Sequence, residues 1–439
     1  MHPQSCLKEF LKYTILNITG MIGLSCYILA DTFFVSKGLG TAGLAALNLA
    51  IPVFSFIHGC GLMLGMGGAT WYSIFRGQKA QDKCDQIFTH MLWITLAAAG
   101  LFVLAGLFLS DILTRLLGAD TETMNMTRTY LQVLMLFAPA FMINDLLTCF
   151  VRNDHNPRLA MLSMLLGSLS NIILDYVFIF PLHLGILGAV LATGAAPIVG
   201  MSILSTHWIK KQNGFHIRNE KLHMKTILAG FDLGFPSLIT EMSSGFVIIV
   251  FNIILLGLTG NMGVAAYGVI ANLSLVIIAI YTGIAQGMQP LASQAYGKGD
   301  KKYICQLLQY GLLSVLALSA VIYIVLFSFA SPIVYIFNSE KNSLLQQIAV
   351  PGLKLYFTAI PFAGINIVLS LFFTSTDRAL PAQFISIARG FALIIPVAFL
   401  LSVLAGMTGV WLAFPLTESI VFVLSIICLI VNRKIIMEC

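Results

Sequence analysis

The chain has 439 residues, of which 58% are hydrophobic and only 10% are charged, and its mean hydropathy is +0.93. Soluble domains carry about a quarter of charged residues, so this composition excludes a water-soluble protein and indicates one that spans a lipid bilayer. The net charge of +6 fits basic loops beside anionic headgroups better than a nucleic-acid surface, and no nucleic-acid partner is expected.

Twelve apolar segments follow one another along the chain, and each is long enough for a spanning helix of roughly 20 residues. They lie near residues 12–36, 45–75, 87–112, 126–150, 158–180, 186–209, 229–257, 264–294, 306–331, 350–374, 380–404 and 408–432. The sequence therefore predicts an all-α integral membrane protein of twelve transmembrane helices.

The basic residues between these segments predict the orientation. If the N-terminus is cytoplasmic, 18 of the 24 Lys and Arg residues fall on the cytoplasmic side and 4 on the outer side, including Lys37 and Lys341. Such a bias is typical of cytoplasmic loops. It predicts a multi-pass protein of the plasma (inner) membrane with both termini cytoplasmic.

The two halves of the chain repeat at an offset of about 220 residues. The matched pairs include Gly67 with Gly287, Gly77 with Gly297, Gly188 with Gly409, Pro139 with Pro361 and Asn144 with Asn366. The offset predicts two parallel, pseudo-symmetric six-helix lobes, an N-terminal lobe at 1–215 and a C-terminal lobe at 216–439. Two such lobes can enclose a central cavity, which favours a transporter.

Ionisable residues inside spans are costly and usually functional. Asp31 and Asp175 each lie about five residues before the outer end of a predicted helix, and Thr193 lies two turns into the next. At 1.5 Å per residue all three fall in one layer, about 8–10 Å below the outer boundary. Asn171 shares a helix face with Asp175, four residues away.

Two carboxylates, an amide and a hydroxyl at one depth predict a site for H⁺ or Na⁺ in the N-terminal lobe. Two close carboxyl groups in a low-dielectric pocket cannot easily both ionise, so the pair can hold a proton and release it when a cation enters. The alternative interpretation is that Asp31 and Asp175 lie near the interface and are exposed to water.

Four other ionisable groups lie deep or near span ends. Glu241, near the bilayer centre, is a candidate anchor for cationic substrates or a structural hydrogen-bonding group whose partner is Arg389 or a hydroxyl. Arg389 and Glu418 are also expected to form a buried ion pair. Loop contacts are expected to explain Asp145 near a cytoplasmic end.

No Walker loop, HExxH, nucleophile elbow, dinucleotide fingerprint or CxxC occurs in the sequence. We therefore expect neither an enzyme nor a bound cofactor, and an ion gradient is the simpler energy source.

The segment DTFFVSKGLGTAGLAALNLAIPV, with LGFPSLITE, AAYGVIANL and QPLASQAYGKGDKK further on, resembles the multidrug and toxic compound extrusion (MATE) family over essentially the whole chain. The resemblance implies two six-helix lobes and antiport of hydrophobic, often cationic drugs or toxins against H⁺ or Na⁺. In the branch resembling DNA-damage-inducible F proteins, it implies an ion-coupling site at Asp31, Asn171, Asp175 and Thr193, which would be the metal ligands if the ion is Na⁺.

The other branch of the family uses acids in the seventh and tenth helices. Glu241 stands near the first of these, and the tenth helix around Asn366 offers no acid. The protein is expected to work as a monomer among membrane lipids. The alternative function is a flippase for a lipid-linked or amphipathic molecule, which should have a strongly basic cavity; here only Arg389 is both deep and basic.

Overall fold

A computed structural model describes residues 3–338 and 342–436, with side chains described for 5–338 and 342–432. Lys341, counted above on the outer side, and the side chains of Arg433 and Lys434, two of the 18 basic residues counted on the cytoplasmic side, lie outside these ranges. The helices are α1 Pro3–Gly77, α2 Gln81–Phe108, α3 Ser110–Leu116, α4 Met124–Leu136, α5 Ala138–Asn153, α6 Pro157–Ile179, α7 Gly185–Leu204, α8 Thr206–Ile209, α9 Met224–Thr259, α10 Asn261–Lys298, α11 Lys301–Ser328, α12 Ala330–Phe337, α13 Ser343–Tyr356, α14 Ile360–Ser375, α15 Ala379–Ile387 and α16 Ile394–Ile436.

Nine stretches of the described chain are long and apolar enough to cross a membrane, and the bent pair α4–α5 adds a tenth. Two of the nine, Ser5–Gly77 and Ala379–Asn432, are more than 50 residues long and break at Gly40 and Gly406. Both glycines have positive φ (67° and 55°), a conformation that glycine adopts without steric cost. With these breaks counted, the prediction of an all-α protein with twelve spans is confirmed.

Proline explains the bend between α4 and α5. The axes of the two helices differ by 48°, and Pro139 lies in the first turn of α5. Since Pro139 has no N–H, it cannot donate to the carbonyl four residues earlier, and the helical ladder is interrupted there.

The described residues group into two compact units. The N-unit comprises Thr19–Met242 and Ser293–Gly299, and the C-unit comprises the described residues of Met1–Ile18, Ser243–Ala292 and Asp300–Cys439. The N-unit therefore contains the beginning of the second sequence half, up to Met242. The C-unit contains the beginning of the first half, up to Ile18. The lobe boundary predicted between residues 215 and 216 stays a prediction.

Glycines paired by the sequence repeat make equivalent contacts, each inside its own unit. In the N-unit, a Cβ on Gly67 would lie 1.9 Å from the carbonyl oxygen of Gly230 on α9. In the C-unit, a Cβ on Gly287 would lie 2.7 Å from the Cα of Thr14 on α1. At both places the first helix of one half packs without an intervening side chain on the second helix of the other half.

In the N-unit, α6 and α7 are packed closely along their length. Ser163 Oγ on α6 donates to the carbonyl oxygen of Gly200 on α7 at 3.0 Å, and a Cβ on Gly200 would come within 2.9 Å of that Oγ. The small residues allow this contact, and it holds in register the two helices that carry Asn171, Asp175 and Thr193.

The segment 210–223, which follows α8, is hydrogen-bonded to the N-unit through its own backbone. The N–H groups of alternate residues 214, 216 and 218 donate to side chains of the N-unit, as an extended segment requires. The contacts are Gly214 to Asp154 (2.6 Å), His216 to Asp85 (3.0 Å), Arg218 to Thr89 (3.0 Å) and, further on, His223 to His90 Nε2 (2.8 Å).

Asp154 is the most heavily bonded of these acceptors. Its side chain is fully buried and also accepts from the Tyr72 hydroxyl at 2.6 Å, from His207 Nε2 at 2.8 Å and from the guanidinium of Arg76. One carboxylate thus joins α1, α8 and the segment 210–223.

We predict that Asp154→Ala destabilises the protein by about 3 kcal/mol, because it leaves a guanidinium and a buried N–H without their acceptor. Thermal unfolding in detergent measures the effect. Asp82→Ala is the matched control, since the Asp82 carboxylate also pairs with an arginine, Arg218, but is 85% exposed. Equal melting temperatures of the two variants would contradict the role given to Asp154.

Candidate ion-coupling and substrate site

Two aspartates from separate helices of the N-unit meet in its interior. Asp31 on α1 is 7% exposed and Asp175 on α6 is fully buried, and their side chains are in hydrogen-bonding contact. Both carboxyl groups are withdrawn from water, and two carboxyl groups this close are not easily both ionised. The alternative interpretation, two water-exposed residues near the interface, is therefore wrong.

Asn171 and Thr193 belong to the same cluster. When the Asn171 amide is oriented to satisfy both neighbours, its Nδ2 donates to Asp175 Oδ2 at 3.1 Å and its Oδ1 accepts from the Thr193 N–H at 3.2 Å. Asn171 is fully buried and Thr193 is 4% exposed. The structure thus brings together all four residues that the sequence placed at one depth.

Thr193 occupies a perturbed turn of α7. Its Oγ1 donates to the carbonyl oxygen of Ala189 at 3.0 Å, and it hydrogen-bonds with the phenol of Tyr130 on α4. Four residues later, Pro197 has no N–H to offer the Thr193 carbonyl, so that oxygen lacks its helical donor.

The cluster presents oxygen atoms that lack partners. Asp31 Oδ1 and Asp175 Oδ1 are both buried and accept no hydrogen bond. Buried, unsatisfied carboxylate oxygens are costly unless a proton or cation neutralises them. No group of three or more His, Cys, Asp and Glu suited to a metal occurs in the described residues. An oxygen-only set with an amide and a hydroxyl nevertheless fits H⁺ or a hard monovalent cation.

Sequence reasoning missed two tyrosines of this site. Tyr130 is 4% exposed and contacts Thr193, but a tyrosine in an apolar span carries no signal that distinguishes it from core. Tyr27 interacts electrostatically with Asp31. It precedes Asp31 by four residues, so the helical period could have placed it on the same face.

Glu241 lies in a second cluster of the N-unit. It interacts electrostatically with His58 on α1 and Asp145 on α5, and a Cβ on Gly59 would lie 3.3 Å from the Cβ of Glu241. His58 Nδ1 is 2.8 Å from Asp145 Oδ2. The interpretation that loop contacts explain Asp145 is wrong, because its carboxylate faces another transmembrane helix.

The expected ion pair between Arg389 and Glu418 is confirmed within the C-unit. Arg389, in a π-helical turn at Ala388–Ala392, donates from Nη2 to Glu418 Oε1 at 2.8 Å and from Nε at 3.2 Å. Asn366 Nδ2 donates to Glu418 Oε2 at 2.7 Å. Arg389 is therefore engaged with Glu418, and the suggestion that it pairs with Glu241 stays a prediction.

The sequence profile of the MatE family matches residues 18–177 and 236–400. The chain belongs to the MatE family. The match includes Asp31, Asn171, Asp175 and Glu241, whereas Thr193 falls between the two matched segments.

Curated relatives agree with this assignment. The chain is 25% identical to the multidrug export protein MepA of Staphylococcus saprophyticus over 95% of this chain and 92% of MepA. It is 26% identical to MepA of Staphylococcus aureus over 94% of this chain and 91% of MepA. The likeness therefore extends through both halves of the MatE fold.

Solved structures share the fold. A MOP superfamily transporter from Pyrococcus furiosus superposes with a TM-score of 0.91 at 22% identity, over 100% of this chain and 98% of that one. A mutant of the Vibrio cholerae MATE transporter VcmN gives 0.90 at 21% identity, over 98% of each chain. At these identities the likeness concerns the fold alone.

We predict that infrared spectra of the protein at neutral pH contain a protonated carboxylic-acid band from the Asp31–Asp175 pair. Because two buried carboxyl groups in contact are not easily both ionised, the wild-type-minus-variant spectra of Asp31→Asn and Asp175→Asn should both show that band. Asp300→Asn is the control, since Asp300 is an exposed residue that caps α11. Identical spectra for all four proteins would contradict the shared proton.

Proposed function

We propose that this protein exports hydrophobic, often cationic small molecules by antiport against H⁺ or Na⁺. It acts as a secondary transporter and not as an enzyme. The observation that carries the proposal is the buried contact between Asp31 and Asp175, whose two Oδ1 atoms lack hydrogen-bond partners. A non-transporting membrane protein has no need for such a costly pair.

The pair supports ion coupling because its charge depends on what it holds. With a proton or Na⁺ bound, the pair is partly neutralised and tolerates burial; without one, two negative charges repel each other. If the two states favour different arrangements of the helices, an ion gradient drives the change of access, and the same change carries cargo outward. Asn171 bonds Asp175 and is itself bonded by the Thr193 N–H, which positions the Asp175 carboxyl group.

Glu241 supports a preference for cationic cargo. A carboxylate deep in an apolar span stabilises a positive charge that has lost its water. The multidrug export function named for both MepA relatives accords with a broad cargo range.

We further propose that the protein works in the plasma membrane as a monomer surrounded by lipid, with both termini cytoplasmic. The bias of basic residues toward one side of the membrane supports this orientation. In the proposed division of the sequence, the ion-site residues fall in the N-terminal lobe at 1–215 and Glu241 falls in the C-terminal lobe at 216–439. This division by sequence differs from the two compact units, in which Glu241 is part of the N-unit.

The flippase alternative receives no support from Arg389. A lipid-linked cargo carries phosphate groups, which need basic side chains free to bind them. The Arg389 guanidinium is 11% exposed and bound to Glu418, so it offers little to such a cargo.

We predict that Asp31→Asn and Asp175→Asn each reduce energised ethidium efflux from cells to below about a tenth of the wild-type rate, because each removes one of the two carboxyl groups whose mutual repulsion the bound ion relieves. Asp111→Asn is the matched control, since Asp111 is 53% exposed and pairs with Arg128 at 2.9 Å. Normal efflux by both buried-site variants, at equal membrane abundance, would remove the ion-coupling claim.

We predict that Glu241→Gln weakens export of permanent cations about tenfold and leaves neutral cargo within about twofold, because only cations lose a Coulombic partner. Efflux rates of tetraphenylphosphonium and of a neutral dye measure the difference. Glu122→Gln, at an exposed position, is the control. A uniform loss for both cargo classes would argue against the anchor.

A further inference from the structure

A histidine lies beside two carboxyl groups in the N-unit, apart from the aspartate pair. His58, Asp145 and Glu241 come from α1, α5 and α9, and the closest measured contact is 2.8 Å between His58 Nδ1 and Asp145 Oδ2. The His58 side chain is 18% exposed and that of Asp145 is 10% exposed. None of the three residues takes part in the hydrogen bonds of Asn171 or Thr193.

Glycines on α1 allow the three side chains to approach. A Cβ on Gly61 would lie 2.7 Å from Asp145 Oδ2, and one on Gly59 would lie 3.3 Å from the Cβ of Glu241. Larger residues at either position would push α5 or α9 away. The backbone of α1 is therefore shaped to receive both carboxyl groups on either side of His58.

Aromatic rings extend the cluster. Phe54, one helical turn before His58, stacks on its imidazole with ring centroids 5.8 Å apart and planes 8° apart. Phe141 meets Phe54 edge-on at 5.5 Å. Carboxylates next to aromatic faces suit an organic cation with an apolar body.

The charged and titratable groups around His58 are few. Asp145 faces it from α5 and Glu241 from α9, while Tyr27 on α1 interacts with both acids. Arg152, a further step along α5, contacts Met66 and Cys149 through their sulfur atoms. With His58 neutral the cluster can reach a charge of −2, and with His58 protonated −1.

We propose that His58, Asp145 and Glu241 form a second proton-exchange site, at which protonation of His58 expels an organic cation held by Glu241. One proton is taken up on the imidazole as one cation leaves, so the charge of the site is unchanged by the exchange. The inference rests on the proposed export function and adds the group that releases the cargo. It is distinct from the aspartate pair, which drives the cycle.

Equilibrium binding of tetraphenylphosphonium to the purified full-length protein in detergent tests whether protonation of His58 expels an organic cation. The probe has a permanent charge, so any pH dependence belongs to the protein. For the wild type we expect affinity to fall roughly tenfold between about pH 9 and about pH 5.5, as expected for one added charge nearby. His58→Gln should bind the probe with nearly the same affinity at both pH values, and Glu241→Gln should bind it weakly over the whole pH range.

Two controls separate this site from others. His183→Gln changes an exposed histidine and should keep the wild-type pH dependence. Asp31→Asn should keep the part of the pH dependence that His58→Gln removes, although it should lose efflux. A pH dependence that persists in His58→Gln or disappears in Asp31→Asn, or a wild type that fails to bind the probe, would overturn the inference. Should His58→Gln unfold, Asp145→Asn replaces it and is expected to shift the wild-type transition toward lower pH.

The outcomes distinguish the two claims. If energised efflux is absent while the His58-dependent binding profile is present, the proposed export function fails and the binding site stands. If efflux is normal and the binding profile does not depend on His58, the export function stands and this inference fails.

Discussion

Two carboxyl groups buried in contact can accommodate one positive charge between them. This electrostatic constraint determines how the ion site of the N-unit responds to a proton or cation. Water cannot stabilise Asp31 and Asp175, so their free energy depends on a proton or cation. Asn171 satisfies one oxygen of Asp175 and leaves the two Oδ1 atoms without partners. The site is thus stable only when occupied, which makes its occupancy a means of changing conformation.

The packing of the helices positions the residues of this site. The close contact of α6 with α7, through Ser163 and Gly200, fixes the distance between Asp175 and Thr193. Pro197, four residues after Thr193, removes one backbone hydrogen bond from α7 at the site. Apolar spans elsewhere supply a low-dielectric surrounding that strengthens every electrostatic interaction inside.

The sequence predicted the twelve spans and the four residues of the aspartate site because hydropathy and helix depth depend on local pattern alone. The repeat offset paired Gly67 with Gly287, and the structure gives these two glycines equivalent contacts. The pairing of His58 with Asp145 escaped prediction, since residues 87 positions apart meet only through tertiary packing. Tyr130 escaped for the same reason. A deep histidine and an acid near a span end carry no signal of their partner.

Uphill movement of a permanent cation in proteoliposomes tests the central claim most directly. Tetraphenylphosphonium is placed at equal concentration on both sides, the membrane potential is clamped, and a pH gradient or a Na⁺ gradient is imposed separately. The account predicts that the wild type accumulates the cation under at least one gradient and that Asp175→Asn does so under neither. Equal accumulation by the variant, or none by the wild type under both gradients, would contradict it.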